Sequence, residues 1–317
     1  MEIWLTVLLF LVGLVLIVKG GDWFLNGAVW IAEATGVPRF IIGATIVSLA
    51  TTLPELTVSL TGVLQGEVDL AVGNAVGSVT ANLGLILGLS VVCIPSVVDR
   101  RHFNLKAVLM TGGAALLTAL CWNGGLRVTP SLLLLAVFVV YLGNNLADAR
   151  RGMAASRETR GRHGVSRRLL AGKLTAFAVG ITAIVLGSRL LIDHGSELAL
   201  LLGVPSSIIG VTMVAIGTSL PELVTTITAI LRREASMSVG NIIGANIIDL
   251  TMILPACAAV SGGRLTIGAQ TTLLDLPACL LLCCVAVVPP LVKGRFYRWQ
   301  GIVMLALYGG YVTLLVT

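Results

Sequence analysis

Charge is what this chain has least of. Asp, Glu, Lys and Arg make up 11% of its 317 residues, while 56% are hydrophobic. An ordinary soluble domain carries about 25% charged residues. The mean hydropathy is +1.00. Such a composition excludes a soluble enzyme and calls for an integral membrane protein. Alternating apolar and polar strands are also missing, which excludes a β-barrel. The six cysteines (Cys93, Cys121, Cys257, Cys279, Cys283, Cys284) form no CxxC pair and lie in or beside apolar runs. They read as small core hydrophobes, not as a zinc site or a disulfide framework. The first apolar run follows an acidic residue and lacks a basic leader region, so it reads as a retained helix. The net charge of +6 resides in connecting loops, where membrane topology accounts for it better than nucleic acid does.

What remains is a succession of apolar runs, each near the roughly 20 residues needed to span a bilayer. They cover 1–36, 39–64, 70–94, 105–122 and 131–146, then 170–202, 206–231, 238–260, 271–288 and 300–316. The first is expected to be a long tilted helix, with a bend available at Lys19-Gly20-Gly21-Asp22. Between the two sets lies a hydrophilic segment carrying Arg150, Arg151, Arg157, Arg160, Arg162, Arg167 and Arg168. It has no apolar periodicity and reads as a flexible linker. The expected fold is an all-α membrane protein of about ten helices. Residues 1–146 form a first five-helix repeat, 147–169 a basic cytoplasmic linker, and 170–317 a second five-helix repeat.

The repeat is explicit. Gly36-Val37-Pro38 returns as Gly203-Val204-Pro205, and Ile41-Ile42-Gly43 as Ile208-Ile209-Gly210. Leu53-Pro54-Glu55 returns as Leu220-Pro221-Glu222, and Gly73-Asn74 as Gly240-Asn241. One offset, from Glu55 to Glu222, serves all four pairs without a gap. With five spans per half the copies enter the membrane from opposite sides, as in transporters with midplane sites. The positive-inside rule then favours both termini outside. In that orientation Arg39, Arg100, Arg101, Lys106, the linker, Arg232, Arg233, Lys293, Arg295 and Arg298 fall inside, and only Arg127 and Arg264 fall outside.

The repeated segments carry the chemistry. A carboxylate in lipid is retained mainly where it faces a cavity, a partner or an ion. Pro54 and Pro221 lack a backbone N–H and free carbonyl oxygens about one turn earlier, near Ala50-Thr51 and Gly217-Thr218. Thr51 lies at i, i+4 from Glu55, and Thr218 from Glu222, so each pair shares a helix face. Thr52 and Ser219 flank those faces. Gly73–Gly77 and Gly240–Gly244 are small-xxx-small patterns that let helices approach closely. Beyond them stand Asn82 and Asp249, which the repeat superposes, with Ser78 four residues before Asn82. Carboxylate, carbonyl, hydroxyl and amide oxygens without His or Cys suit hard cations such as Na⁺ and Ca²⁺.

TTLPE with GNAVGSVTAN, and GTSLPE with GNIIGANIID, resemble the two α-repeats of the calcium/cation antiporter superfamily, and most of all the prokaryotic sodium/calcium exchangers. The resemblance covers nearly the whole chain. It implies a ten-helix antiporter that exports Ca²⁺ using Na⁺ entry, with no cofactor and no obligate protein partner. Glu55 and Glu222 would hold Ca²⁺ with the carbonyls of Thr51 and Thr218. The hydroxyls of Thr52, Ser219 and Ser78 would serve flanking Na⁺ sites, Asn82 and Asp249 would face the central position, and the first and sixth helices would slide as gates. The chain departs from the family at Ala245, where a serine is expected, at Ala50, where glycine is, and at Ser48, whose counterpart is Ala215. Loss of the Ala245 hydroxyl leaves Ca²⁺/H⁺ or K⁺-dependent exchange as the alternative.

Other polar residues have plainer readings. Lys19, Asp22, Arg189, Asp193, His194 and Glu197 suit a wet face or the membrane interface, with gating or proton coupling as the alternative for Asp22, Asp193 and His194. Glu67, Asp69 and Glu234 suit solvated turns. A carboxylate-lined channel is the main rival class; the inverted repeat argues against it. A hydrolase lacks a nucleophile–base arrangement.

Overall fold

The structure is a computed structural model describing residues 3–160, 167–202 and 219–316. The chain runs through α1 (Ile3–Thr35), α2 (Arg39–Thr51), α3 (Leu53–Leu64), α4 (Val68–Cys93), α5 (Arg100–Cys121), β1 (Gly125–Arg127) and α6 (Val128–Arg160). It continues through α7 (Arg167–Leu201), α8 (Leu220–Leu231), α9 (Ala235–Val260), β2 (Arg264–Thr266), α10 (Thr271–Lys293) and α11 (Arg298–Val316). Among the described residues seven helices are long and apolar enough to span a bilayer, or eight if α2 and α3, bent by 41°, count as one. The two expected spans not counted are those of α8 and α11. The start of the first, 206–218, lies outside the described residues; the second opens on the polar turn Arg298-Trp299-Gln300.

The offset read from the sequence reappears in the elements. The step of 167 from Leu53 to Leu220 also separates Leu64 from Leu231, so α3 and α8 match end to end. Likewise α4 and α9 match from Val68/Ala235 to Cys93/Val260. Inside each, a π-turn begins at a repeat-related residue, Asn82 in one and Asp249 in the other. These two helices form the centre, with 72% and 83% of their apolar windows buried, against 22% for α1.

Helix α1 is not interrupted at Gly20-Gly21. Its glycines are packing surface instead. A methyl on Gly13 would lie 2.9 Å from the Gly187 carbonyl oxygen, and one on Gly20 would lie 2.8 Å from that of Gly180. The partners descend as α1 ascends, so α1 and α7 are antiparallel and nearly in backbone contact. A similar approach joins α2 to α9, where a side chain at Gly43 would overlap the Met237 carbonyl and one at Gly240 that of Phe40.

The halves are also stitched at both ends of α5. Strands β1 and β2 pair antiparallel, with Gly125 opposite Thr266, Leu126 opposite Leu265 and Arg127 opposite Arg264. At the other end Val97 bridges to Arg295, Val98 donates to the Gly294 carbonyl at 2.9 Å, and Phe296 donates to that of Ser96 at 2.9 Å. No strand was expected here; three-residue strands are too short to show alternation.

Two further expectations change. The segment read as a flexible linker stays helical to Arg160 as the end of α6. Its Ala, Arg, Met and Glu residues are strong helix formers, and charge alone does not break a helix. Lys106, counted as a loop charge, lies fully buried within α5. Its ammonium donates to Asp148 at 3.0 Å and to Asn144 at 2.9 Å, both on α6, and sits over the Phe40 ring at 5.7 Å from the centroid. His102 and Arg151 approach the same Asp148 carboxylate at 3.3 and 3.7 Å. Replacing Asp148 by Ala strands a buried ammonium and is expected to cost about 3–5 kcal/mol. Thermal unfolding of the purified protein checks this, and a Lys106→Met/Asp148→Leu pair should recover most of the loss.

Candidate functional site

The site starts with a proline. Pro54, second residue of α3, offers no N–H to the turn before it, and the chain bends at Thr52 between α2 and α3. The Ser48 carbonyl, one turn before the bend, gathers three donors. It accepts from the Thr52 N–H at 2.9 Å, the Thr52 hydroxyl at 2.6 Å and the Thr51 hydroxyl at 3.3 Å. Just before Ser48, residues Gly43–Val47 form a π-turn. There the Ala44 carbonyl accepts from the Tyr141 hydroxyl and from Asn145 Nδ2, the latter at 3.3 Å. Side chains of α6 therefore brace the turn that carries the first motif.

Glu55 follows in the first turn of α3 and Glu222 in the first turn of α8. Both are buried, as is Asp249 at the head of its π-turn. All six oxygens of these carboxylates lie within the protein without a hydrogen-bond partner among the described residues. The Asn82 Oδ1 and the Ser219 hydroxyl share that condition. Glu55 is close enough to Glu222 and Asp249 for their charges to interact. An isolated buried carboxylate costs several kcal/mol after relaxation. Three near one another, with only the Thr51 hydroxyl beside Glu222 as a side-chain donor among the described residues, call for a positive partner that those residues do not supply.

Asparagines hold these groups in place. Asn241 accepts from the Thr51 hydroxyl at 3.3 Å and donates to the Thr225 hydroxyl at 3.2 Å, which in turn donates to the Glu222 carbonyl at 3.0 Å. One side chain from α9 so links the first motif to the second. Its repeat counterpart, Asn74, donates to the Glu55 carbonyl at 3.2 Å and to the Ser59 hydroxyl at 2.9 Å. Asn82 donates to Asn246 Oδ1 at 3.1 Å, joining α4 to α9.

Of the expected site residues, Ser48, Thr51, Thr52, Glu55, Ser78, Asn82, Ser219, Glu222 and Asp249 are all buried. Thr218 and Ala215 lie outside the described residues. Ala245, the departure from the family pattern, is fully buried. Asn74, Asn241, Asn246, Tyr141, Asn145 and Thr225 were not anticipated as functional. The first two stood in register in both repeats and were legible there. Tyr141 and Asn145 come from the fifth apolar run, where no motif marks them. Asp22 pairs with Arg232 at 2.6 Å, and Glu234 with Arg39 at 2.8 Å, at the edge of the bundle. Among the described residues no group of three His, Cys, Asp or Glu side chains is arranged so that it could hold a metal ion by itself.

Acidic, hydroxyl and amide oxygens gathered at helix breaks inside a membrane bundle are the architecture of a cation antiporter. The family model for the sodium/calcium exchanger protein matches residues 5–146 and 173–317, and the chain belongs to that family. It is 34% identical over 306 residues to an uncharacterised membrane protein of Methanocaldococcus jannaschii, covering 94% of each chain. It is 27% identical to the sodium/calcium exchanger MaX1 of Methanosarcina acetivorans over 97% of both. A solved structure of the sodium-calcium exchanger NCX_Mj, soaked with 10 mM Na⁺ and zero Ca²⁺, superposes with a TM-score of 0.85. The two are 29% identical, over 98% of this chain and 99% of that one.

The unpartnered carboxylates make a prediction about stability. A hard cation should stabilise the purified protein by about 2.7 kcal/mol at a hundredfold excess over its dissociation constant. Glu55→Gln removes one buried charge. It should raise the melting temperature in chelator-treated, sodium-free buffer and shrink the rise that Ca²⁺ produces. A variant that melts lower without ions yet responds fully to Ca²⁺ would show that Glu55 has internal partners.

Proposed function

We propose that the chain exchanges Ca²⁺ for Na⁺ by alternating access, with both ions using one midplane site. The observation that carries this reading is the cluster of buried carboxylates on Glu55, Glu222 and Asp249, which among the described residues have no cationic partner and only the Thr51 hydroxyl near Glu222 as a side-chain donor. Glu55 and Glu222 are the Ca²⁺ ligands, helped by the carbonyls of Thr51 and Thr218. Two glutamates neutralise one Ca²⁺ or two Na⁺, so the ions compete and only loaded states cross readily. Thr52, Ser219 and Ser78 supply hydroxyls to flanking Na⁺ positions, beside Ser48 and Ala215. Asn82 and Asp249 face the centre.

The same reading makes the two halves inverted repeats of five spans. It is supported by the matched ends of α3/α8 and α4/α9, and by the antiparallel glycine contact of α1 with α7. Charge placement favours both termini outside and the α6–α7 segment in the cytoplasm, with the chain in the cell membrane. The name of MaX1, and the Na⁺ and Sr²⁺ soaks of NCX_Mj, agree with these substrates. Ala245 leaves one alternative: where Ser78 gives the first repeat a hydroxyl, the second has none, and in a Ca²⁺/H⁺ exchanger protons would replace one or more Na⁺.

Sealed vesicles loaded with Na⁺ test the proposal. Ca²⁺ uptake should follow the outward Na⁺ gradient and exceed the ion's own electrochemical equilibrium. A charged contact is worth ~1.5–3 kcal/mol, so Glu55→Gln and Glu222→Gln should each reduce uptake about tenfold or more. Uptake that ignores Na⁺ but follows a pH gradient selects the proton variation. Uptake that never rises above equilibrium identifies a channel instead.

A further inference from the structure

Two arginines escape the charge pattern of the other loops, and the fold puts them side by side. Arg127 and Arg264 are the loop cations that the charge count leaves on the outer face, and they stand directly opposite each other in the β1–β2 register. Like charges across an antiparallel pair repel. Among the described residues neither guanidinium has a carboxylate within ion-pair distance. Both line one concave pocket of about 270 Å³, together with Leu120, Asn123, Gly125 and Pro130.

The pocket is shaped around the guanidinium of Arg264. A methyl group on Gly125 would lie 2.7 Å from its Nε and 3.1 Å from its Nη2, so the absent side chain lets the guanidinium lie against the ribbon. Pro130, in the first turn of the 33-residue α6, brings that helix's N-terminus to the same rim. The helix dipole there favours negative charge. Trp122 is 67% exposed, as expected of an aromatic residue at headgroup depth. Small-molecule sites usually measure about 300–1,000 Å³, so the volume suits a headgroup more than a large ligand.

We propose that this pocket binds a phosphate group, supplied by an anionic phospholipid headgroup or by free inorganic phosphate at the outer face. Planar guanidinium forks match phosphate oxygens with paired, charge-assisted hydrogen bonds. A phosphate shared by Arg127 and Arg264 turns their repulsion into a bridge. That bridge fastens β1 to β2, and so the first half of the chain to the second. The site is separate from the carboxylate cluster and stands whether or not the proposed ion exchange holds.

The test uses the full-length protein purified in detergent, with thermal unfolding and native mass spectrometry as readouts. Phosphatidylglycerol and phosphatidylcholine are titrated in parallel, and inorganic phosphate is compared with chloride at equal ionic strength. Phosphatidylglycerol, inorganic phosphate or both should bind and raise the melting temperature; whichever acts names the source. Arg127→Gln and Arg264→Gln should each weaken binding about tenfold, the loss of one charged contact. The double Lys variant keeps the charge but loses the forks, and should also weaken. Gly125→Leu displaces the Arg264 guanidinium and gives the same weakening if an arginine variant fails to fold. The proposal is overturned if the wild type prefers neither phosphatidylglycerol to phosphatidylcholine nor phosphate to chloride. It is equally overturned if folded arginine or Gly125→Leu variants bind as tightly as the wild type.

Discussion

The constraint on which the rest depends is the desolvation of three carboxylates. Glu55, Glu222 and Asp249 are buried, and among the described residues only the Thr51 hydroxyl approaches one of them, Glu222, as a side-chain donor. Such groups persist only if the surrounding backbone is held so firmly that it cannot collapse onto them. The bend at Thr52, the π-turns that start at Asn82 and Asp249, and the asparagine links among the central helices provide that hold. These devices bond backbone groups and asparagine N–H groups, and they leave the carboxylate oxygens and the Oδ1 atoms of Asn74 and Asn82 largely unused. The core of this membrane protein is therefore polar at its centre, and its internal hydrogen bonding largely stops short of the carboxylate oxygens.

Glycine makes this arrangement compact. Contacts at Gly43 and Gly240 bring α2 against α9 at backbone distance, close to the site. Those at Gly13, Gly20, Gly180 and Gly187 do the same for α1 and α7 at the edge. The central contact is keyed by hydrogen bonds, since Thr51 of α2 reaches Asn241 of α9. The peripheral contact combines glycines with the packed rings of Phe24 and Phe177, 4.5 Å apart, on helices whose other faces are largely exposed. The centre is thus locked by side-chain hydrogen bonds, whereas α1 meets α7 largely through glycine and is tied to the end of α8 by the Asp22–Arg232 ion pair.

Much of this was legible in the sequence because the chain states it twice. A gapless repeat of prolines, glycines and carboxylates predicted which helices match, and the ends of α3 and α8 agree to the residue. The unread features have local physical causes. A π-turn shifts one hydrogen bond and leaves composition untouched, so nothing in Gly43–Val47 announces it. Tyr141 and Asn145 act on Ala44, 97 and 101 residues away in sequence, a contact that no helical periodicity encodes. Helix α6 continued through the arginines because hydrophilicity marks where a helix leaves lipid and says little about where it ends.

The two stitches at the ends of α5 have a consequence in time. Strand β1 is complete at Arg127, but its partner begins only at Arg264, and the segment at Val97 waits for Arg295. At synthesis rates of roughly 5–20 residues per second, the first half stands with an open strand edge for on the order of ten seconds. Glu55 is by then synthesised, without the helices of the second half that later enclose it. Biogenesis, then, has a vulnerable interval that the finished molecule conceals. How long it lasts follows from how far apart the chain has written the two parts of each stitch.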